Sequence, residues 1–414
     1  MRQTAGPMAW VQPYEDARLI DRTIWRLHGR QGGWSETLTL PGPLRHRPVP
    51  LTPTVTIAAV LSGVVGAVTV WAGGDSWASV VLALALMLVL GAVALAVLVP
   101  AGLRPFGVLH LVYLVLVVAV PLVGLAVGVE TLAGGRSAGW WLVVVILGAP
   151  AGIGWWATHV EPFRLVVETV VVPIDAARRG RDVVRIGVLA DLQTNTIGPH
   201  EHAAVDRLLA EAPDLILVPG DLFQVSPERF ARDADKLRAL LGRLSAPHGV
   251  YFVRGDAERW DYAERAVYGT GIVMLDDEMV TLTVGDRRIH LGGNRLEYLD
   301  PAAVALRQAL QGGPDDGAIR ILVAHRPDAV LDLAPGSRVD LTVAGHTHGG
   351  QVVVPGFGPP LTLTSVPRQA ARGGLHAVNG NLLYVSAGVG LERAQAPQLR
   401  LFCPPTIGVL VLQS

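Results

Sequence analysis

The stretch Val343-Ala344-Gly345-His346-Thr347-His348-Gly349-Gly350-Gln351 holds two imidazoles one residue apart, boxed by glycines and preceded by an apolar run. In extended or turning backbone, residues i and i+2 project to the same side, so both rings can reach into one small volume. Flanking glycines let the main chain approach whatever is bound there. Such a segment suits metal ligation better than packing.

Matching carboxylates stand upstream, each after an apolar run that reads as a buried strand. Asp191 and Gln193 follow Val184 to Ala190, and Asp221 follows Leu215 to Pro219. Asp256, Ala257 and Glu258 follow Val250 to Arg254. His325 follows Ile321 to Ala324, and the two histidines follow Leu341 to Ala344. Ligands of open α/β sheets gather outside the carboxyl ends of the strands. A single Asp in that place usually caps a helix. Five strand ends in succession carrying metal-ligand residue types call for a shared site.

The succession Asp191-x-Gln193, Gly220-Asp221, Gly255-Asp256-Ala257-Glu258, His325, Gly345-His346-x-His348 resembles the calcineurin-like metallophosphoesterase superfamily, in particular its bacterial membrane-attached branch. The likeness covers roughly residues 165 to 414. The family pattern has His where this chain has Gln193, and Asn-His where it has Asp256-Ala257. The resemblance implies one metal held by Asp191, Gln193, Asp221 and His348. It implies a second held by Asp221, Asp256, His325 and His346, with Asp221 bridging. Nitrogen and oxygen donors together suit Mn, Fe or Zn better than an all-oxygen Mg²⁺ or Ca²⁺ cage. Two such divalent ions clamp a phosphate and make a nucleophile of water.

The departures carry expectations of their own. Gln193 offers a neutral amide oxygen, or no ligand at all, so the first metal should bind more weakly. Asp256 keeps an oxygen ligand and adds negative charge, which should tighten the second. Ala257 removes the family histidine that steadies the transition state and helps protonate the leaving oxygen, help worth about 10²–10⁴-fold. Glu258 is the adjacent replacement, if it turns into the site rather than into solvent. His200 and His202, in the segment after Asp191, are the other candidate acids. A substrate with a good leaving group needs that acid least.

The remainder of the chain must position these residues. The 414 residues are 50% hydrophobic and only 17% charged, with mean hydropathy +0.41, against about 25% charged in soluble domains. The excess is concentrated in four windows, Thr54 to Trp71, Trp77 to Val99, Phe106 to Val127 and Gly139 to Thr158. Each is near the ~20 apolar residues that cross a bilayer. Trp71, Trp77, Trp140, Trp141, Trp155 and Trp156 gather at window ends as an aromatic belt would place them. His110 is the one strongly polar residue well inside a window and reads as a hydrogen-bonding imidazole between helices. A transporter would need charged or broken helices, and the windows show neither beyond Pro121 and Pro150; the bundle reads as an anchor or a homodimerisation module.

Arginines set the topology. Arg2, Arg18, Arg22, Arg26, Arg30, Arg45 and Arg47 precede the first window, Arg104 lies in the second connection, and Arg164, Arg178, Arg179 and Arg181 follow the fourth. By the positive-inside bias both termini and the phosphoesterase domain face the cytoplasm, at the inner (plasma) membrane. No cleavable signal peptide is legible in the polar first fifty residues. The division is residues 1–52 as an amino-terminal segment ending in a flexible linker, 53–158 as four transmembrane helices, and 159–414 as the catalytic domain. A formal net charge of −1 gives no basic stripe for nucleic acid. Cys403 is the only cysteine and reads as a structural thiol.

Within the catalytic domain, Leu165 to Val172 reads as an edge strand, and Val280 to Val284 with Arg288 to Leu291 as a hairpin across Gly285-Asp286. Helix-period apolar residues mark His202 to Glu211 and Pro227 to Leu244. Leu382 to Val385 and Ile407 to Leu412 are expected to close the second sheet. Ser386 to Gly390 is a Gly-rich loop, either a plain turn or a phosphate cradle. The fold class is a four-helix transmembrane bundle followed by an α/β metallophosphoesterase domain, a two-sheet β-sandwich flanked by helices. Two functions remain open: a membrane-anchored phosphoesterase acting on a phosphodiester, pyrophosphate or monoester, lipid-linked or not, and a catalytically degraded metal- or phosphate-binding sensor or scaffold.

Overall fold

The computed structural model describes residues 159–413 except 195, 226, 259, 361 and 393–398, together with 37–39, 48–50, 153, 156 and 157. The four apolar windows, Thr54 to Trp71, Trp77 to Val99, Phe106 to Val127 and Gly139 to Thr158, lie outside the described residues apart from the last few positions of the fourth. Among the described residues no helix is long and apolar enough to cross a membrane. In the stretch read as a flexible linker, Thr37–Thr39 pairs antiparallel with Pro48–Pro50.

Two six-stranded mixed sheets make the domain. The first runs β1 (Val166–Pro173), β12 (Thr406–Gln413), β2 (Val184–Val188), β3 (Leu215–Val218), β4 (Val250–Phe252) and β5 (Val273–Met274). The second runs β10 (Gly374–Val378), β11 (Asn381–Val385), β9 (Leu341–Ala344), β8 (Ile319–Ala324), β7 (Arg287–Asn294) and β6 (Glu278–Val284). Strands β2, β3 and β4 are parallel neighbours in one sheet, as are β8 and β9 in the other. The carboxyl ends of all five therefore deliver their loops to a common edge.

Alternation along the strands assigns the layers. Leu215 and Leu217 pack between the sheets with Ile321, Val323 and Val343. Ile216 and Val218 face the other way, onto Leu208, Leu237, Leu240 and Ala263 of α1 (Pro199–Ala210), α2 (Pro227–Leu241) and α3 (Trp260–Val267). Leu322 and Leu383 likewise meet Leu310 of α4 (Pro301–Gly312) and Ala370 of α5 (Arg368–Ala371). Strands buried on both faces read as continuous apolar runs, which is why these were legible.

Helix α1 starts three residues before its expected position, because Pro199 takes the first helical turn and the Gly198 N–H donates to Glu201 Oε2 (2.8 Å). The Ile407 to Leu412 run does not close the second sheet. It lies in β12, inserted in the first sheet between β1 and β2. Ile407 packs on the helix side while Leu410 and Leu412 enter the inter-sheet core. A strand apolar on both faces belongs inside a sheet, and this pairing makes β1 the edge.

Candidate metal centre

The loops that follow these strands turn abruptly. Asp191 (φ 49°), Gln193 (31°), Asp221 (57°), His346 (74°) and His348 (48°) all have left-handed backbone. A non-glycine residue there is uncommon and persists only where its surroundings enforce it. The glycines between them allow close approach: a Cβ on Gly255 would come within 2.2 Å of Asp221 Oδ1, and one on Gly345 within 2.6 Å of Asp191 Oδ2. Asp191 is tied across the sheets, accepting from the His346 N–H at 2.9 and 3.1 Å.

Asp256, His325 and His346 form one compact group of ligand atoms, and Asp191, Asp221 and His325 form another, the atoms of each lying within 4.8 Å of one another. In the first group each imidazole is anchored by its far nitrogen. His325 Nδ1–H donates to the Pro219 carbonyl (2.8 Å) and His346 Nε2–H to the Leu363 carbonyl (3.0 Å). Their other nitrogens face each other at 3.2 Å. His346 Nδ1 is 3.0 Å, and His325 Nε2 3.4 Å, from Asp256 Oδ2. The inward nitrogens and the Asp256 carboxylate thus present ligand atoms to one small volume, and backbone-anchored imidazoles are how metal ligands are held.

Electrostatics leads to the same point. Burial pulls the His325 pKa down, yet Asp221, Asp256 and Asp191 outweigh it and raise it to about 10. Burial pushes Asp191 up to about 6, against the pull of His325, His346 and Arg400. Asp221 is raised well above the ordinary range by burial and by its acidic neighbours. A proton on His325 meets part of the cluster's demand for positive charge, a demand divalent ions would satisfy more fully. The donor set therefore fits divalent cations.

Asp256 has a partner not foreseen from its type. Arg326 grips it with a two-pronged guanidinium contact, Nε to Oδ2 at 3.1 Å and Nη2 to Oδ1. Arg326 is 2% exposed and, with both imidazoles, holds the Asp256 carboxyl well below the usual range in spite of burial. The charge that Asp adds over Asn is thus offset, so the expected tightening of the second metal loses its basis. Arg326 directly follows His325, an adjacency that could have flagged it.

The other half is built differently. Asp221 accepts from the Ala257 N–H (2.7 Å) and lies 3.5 Å from His325 Nε2. The Gln193 N–H donates to the Asp221 carbonyl (2.7 Å), which sets Gln193 beside the acid. Its side-chain amide nitrogen donates to Glu392 (2.7 Å). His348 stands outside both groups; its ring is buried and, among the described residues, neither nitrogen has a hydrogen-bond partner. Burial, then Arg400 and the other two histidines, lower its pKa well below the ordinary value, leaving a neutral, ligand-competent imidazole.

Glu258 does not turn into the site and is not solvent-facing. It is 4% exposed and accepts from the N–H groups of Asp221 (3.1 Å), Gly255 (3.0 Å) and Leu222, fastening the β3 and β4 loops together. His200 makes its contact with the Val389 carbonyl (3.1 Å) and sits edge-on to Phe163. His202 accepts from Arg243 (3.0 Å) near the surface. Four of the Gly-rich loop's N–H groups are engaged: Ser386, Gly388, Val389 and Gly390 donate to Ala344, Ser386 Oγ, Ala190 and Asp191. Fully buried Arg400 collects the carbonyls of Ala387, Gly388, Gly390 and Cys403, so the loop is a braced turn. Cys403 is a buried free thiol.

Carboxylates and imidazoles converge at the ends of parallel strands from two mixed sheets as a donor set for divalent cations. Residues 184–350 match the family model of calcineurin-like phosphoesterases. The chain is similar to the uncharacterized metallophosphoesterase YkuE of Bacillus subtilis (strain 168), 29% identical over 216 residues, 49% of this chain and 68% of that one. It is similar to phosphodiesterase YaeI of Escherichia coli (strain K12), 29% identical over 241 residues, 55% and 82% of the two chains. The putative metallophosphoesterase F40B5.2 of Caenorhabditis elegans is 28% identical over 268 residues, 60% of this chain. The chain spans about half the length of several of these relatives, 52% of the worm protein and 53% of one from Helicobacter pylori. These matches support placing the domain in the calcineurin-like metallophosphoesterase superfamily, a dimetal-dependent family. The domain is that of a metal-dependent phosphohydrolase.

Proposed function

We propose that the protein is a membrane-anchored, dinuclear-metal phosphoesterase that cleaves a phosphodiester or pyrophosphate with a good leaving group, presented at the cytoplasmic face of the membrane. The observation that carries it is the convergence of Asp191, Asp221, Asp256, His325 and His346 in two overlapping ligand groups that share His325. When bound, divalent ions such as Mn, Fe or Zn supply Lewis-acid polarisation of the phosphoryl group and an activated water. The chain itself supplies the rest. Asp221, fixed by Ala257 N–H and by the Glu258 clamp on its own N–H, belongs to the second group and lies 3.5 Å from the Nε2 of the shared His325. His325 and His346 keep their free nitrogens turned inward through the Pro219 and Leu363 carbonyls.

The preference for a good leaving group follows from Ala257. Glu258 is committed to three N–H groups and His200 to a carbonyl, so both are already engaged with the main chain. A diester or pyrophosphate tolerates that loss better than an alkyl monoester. The name of the similar E. coli phosphodiesterase agrees with it. The four apolar windows and the arginines flanking them support the anchor, and hence a lipid-linked substrate class.

Metal analysis of the detergent-purified chain, paired with turnover of bis-aryl phosphodiesters and lipid pyrophosphates in Mn²⁺, Zn²⁺ and Mg²⁺, tests the reading. Two metals per chain with diester turnover are expected; a fully loaded, folded protein inert on all of them would favour the sensor or scaffold. Reporters fused at the amino terminus and after Ser414 should both read cytoplasmic. Periplasmic signal from either, with expression verified, would overturn the topology.

A further inference from the structure

Gln193 occupies the position where a histidine would be the natural ligand of the first metal, and an amide is an ambiguous substitute. Its two ends are close in shape but opposite in chemistry: the oxygen can ligate, and the NH₂ repels a cation. Which end faces the centre is decided by what holds the other. The structure places Glu392 there. Gln193 Nε2 donates to Glu392 Oε2 at 2.7 Å, and a carboxylate accepts without donating, so only the NH₂ end can be turned toward it. The oxygen is consequently directed away from Glu392, and it is shielded from solvent.

Glu392 is itself held by the loops that build the site. Its second oxygen accepts from Gln224 Nε2 (3.3 Å), three residues beyond Asp221. Its N–H donates to Gln351 Oε1 (2.6 Å), three residues beyond His348. Three glutamines from the β2, β3 and β9 loops thus converge on one residue. Gln193 is 1% exposed with its main chain bound to the Asp221 carbonyl, so its amide has little room to swing.

We propose that Glu392 is a positioning residue which fixes the Gln193 amide with its oxygen toward the first metal, making Gln193 a working ligand. The inference rests on the dinuclear reading above. It assigns Glu392 a role at the first metal, through its hydrogen bond to Gln193.

Titration of metal-stripped, detergent-solubilised full-length protein with Mn²⁺ alone tests this, with bound metal counted per chain and thermal unfolding run in parallel. Wild type should take up two ions. Glu392→Ala should bind one as wild type does and the other about 10–100-fold more weakly, the usual loss for an outer partner of a ligand. Gln193→His in the Glu392→Ala background should restore the weakened ion, because an imidazole has no NH₂ end to misdirect. A merely structural role for Glu392 would lower both affinities together and would not be rescued. If Glu392→Ala binds two ions as wild type does, or if both weaken and Gln193→His restores neither, the assignment fails while the dinuclear reading stands. A wild type that binds fewer than two ions overturns both.

Discussion

The two halves of the metal centre solve one problem by different means. Around His325 and His346 the ligand atoms already crowd together, with nitrogens 3.2 Å apart and both rings anchored to main-chain carbonyls. Around Asp191 and Gln193 the pieces are set by main-chain hydrogen bonds from His346 and to Asp221 and by a side-chain amide that leans on Glu392. The first half is ready by virtue of its own side chains; the second depends on neighbours that the ligands do not name. A site assembled this way should lose its two ions unequally under mutation, the Gln193 side first.

Asp221, which the resemblance makes the bridge between the halves, tests the comparison most severely. Asp221→Ala should abolish loading of both ions and lower turnover by at least about 10³-fold, since each ion provides several kcal/mol and about 1.4 kcal/mol is tenfold. Two metals per purified chain and wild-type turnover in that variant would show that the halves share nothing.

The next effect is on stability and belongs to the His325 side. Asp256→Asn or Arg326→Ala alone breaks a buried ion pair and should cost about 3–5 kcal/mol in thermal unfolding of the metal-free chain. The double variant should cost markedly less than the sum of the two. Additive losses would mean that Arg326 does not serve to offset Asp256.

A gain should follow from Ala257→His. Aryl diesters should change little, whereas poor alkyl leaving groups should improve by at most about 10²-fold. An equal improvement for both classes, measured as kcat on matched esters, would mean that the missing acid does not govern leaving-group preference. Smallest of all is His200→Ala, whose ring sits on the Val389 carbonyl. Turnover there should stay within about twofold, the scale of a change worth roughly 0.5 kcal/mol; a loss of tenfold or more would return His200 to the list of acids.

The amino-acid sequence by itself determined the residue types, their order and the strands that carry them. Strands buried on both faces leave uninterrupted apolar runs, and a polar residue at the end of each run is a local signal. The family resemblance, on top of the sequence, marked Ala257 as a missing donor. Tertiary structure alone decided what the neighbours do. It placed β12 inside the first sheet, and it committed Glu258 to three N–H groups of two loops. It paired Asp256 with Arg326, 70 residues away, and Gln193 with Glu392, 199 residues away. Periodicity reports which face of an element is buried and carries no information on which distant loop will close over its end. For the acid at Glu258 and the amide at Gln193, closure of those loops decides whether the side chain serves the main chain or the metal.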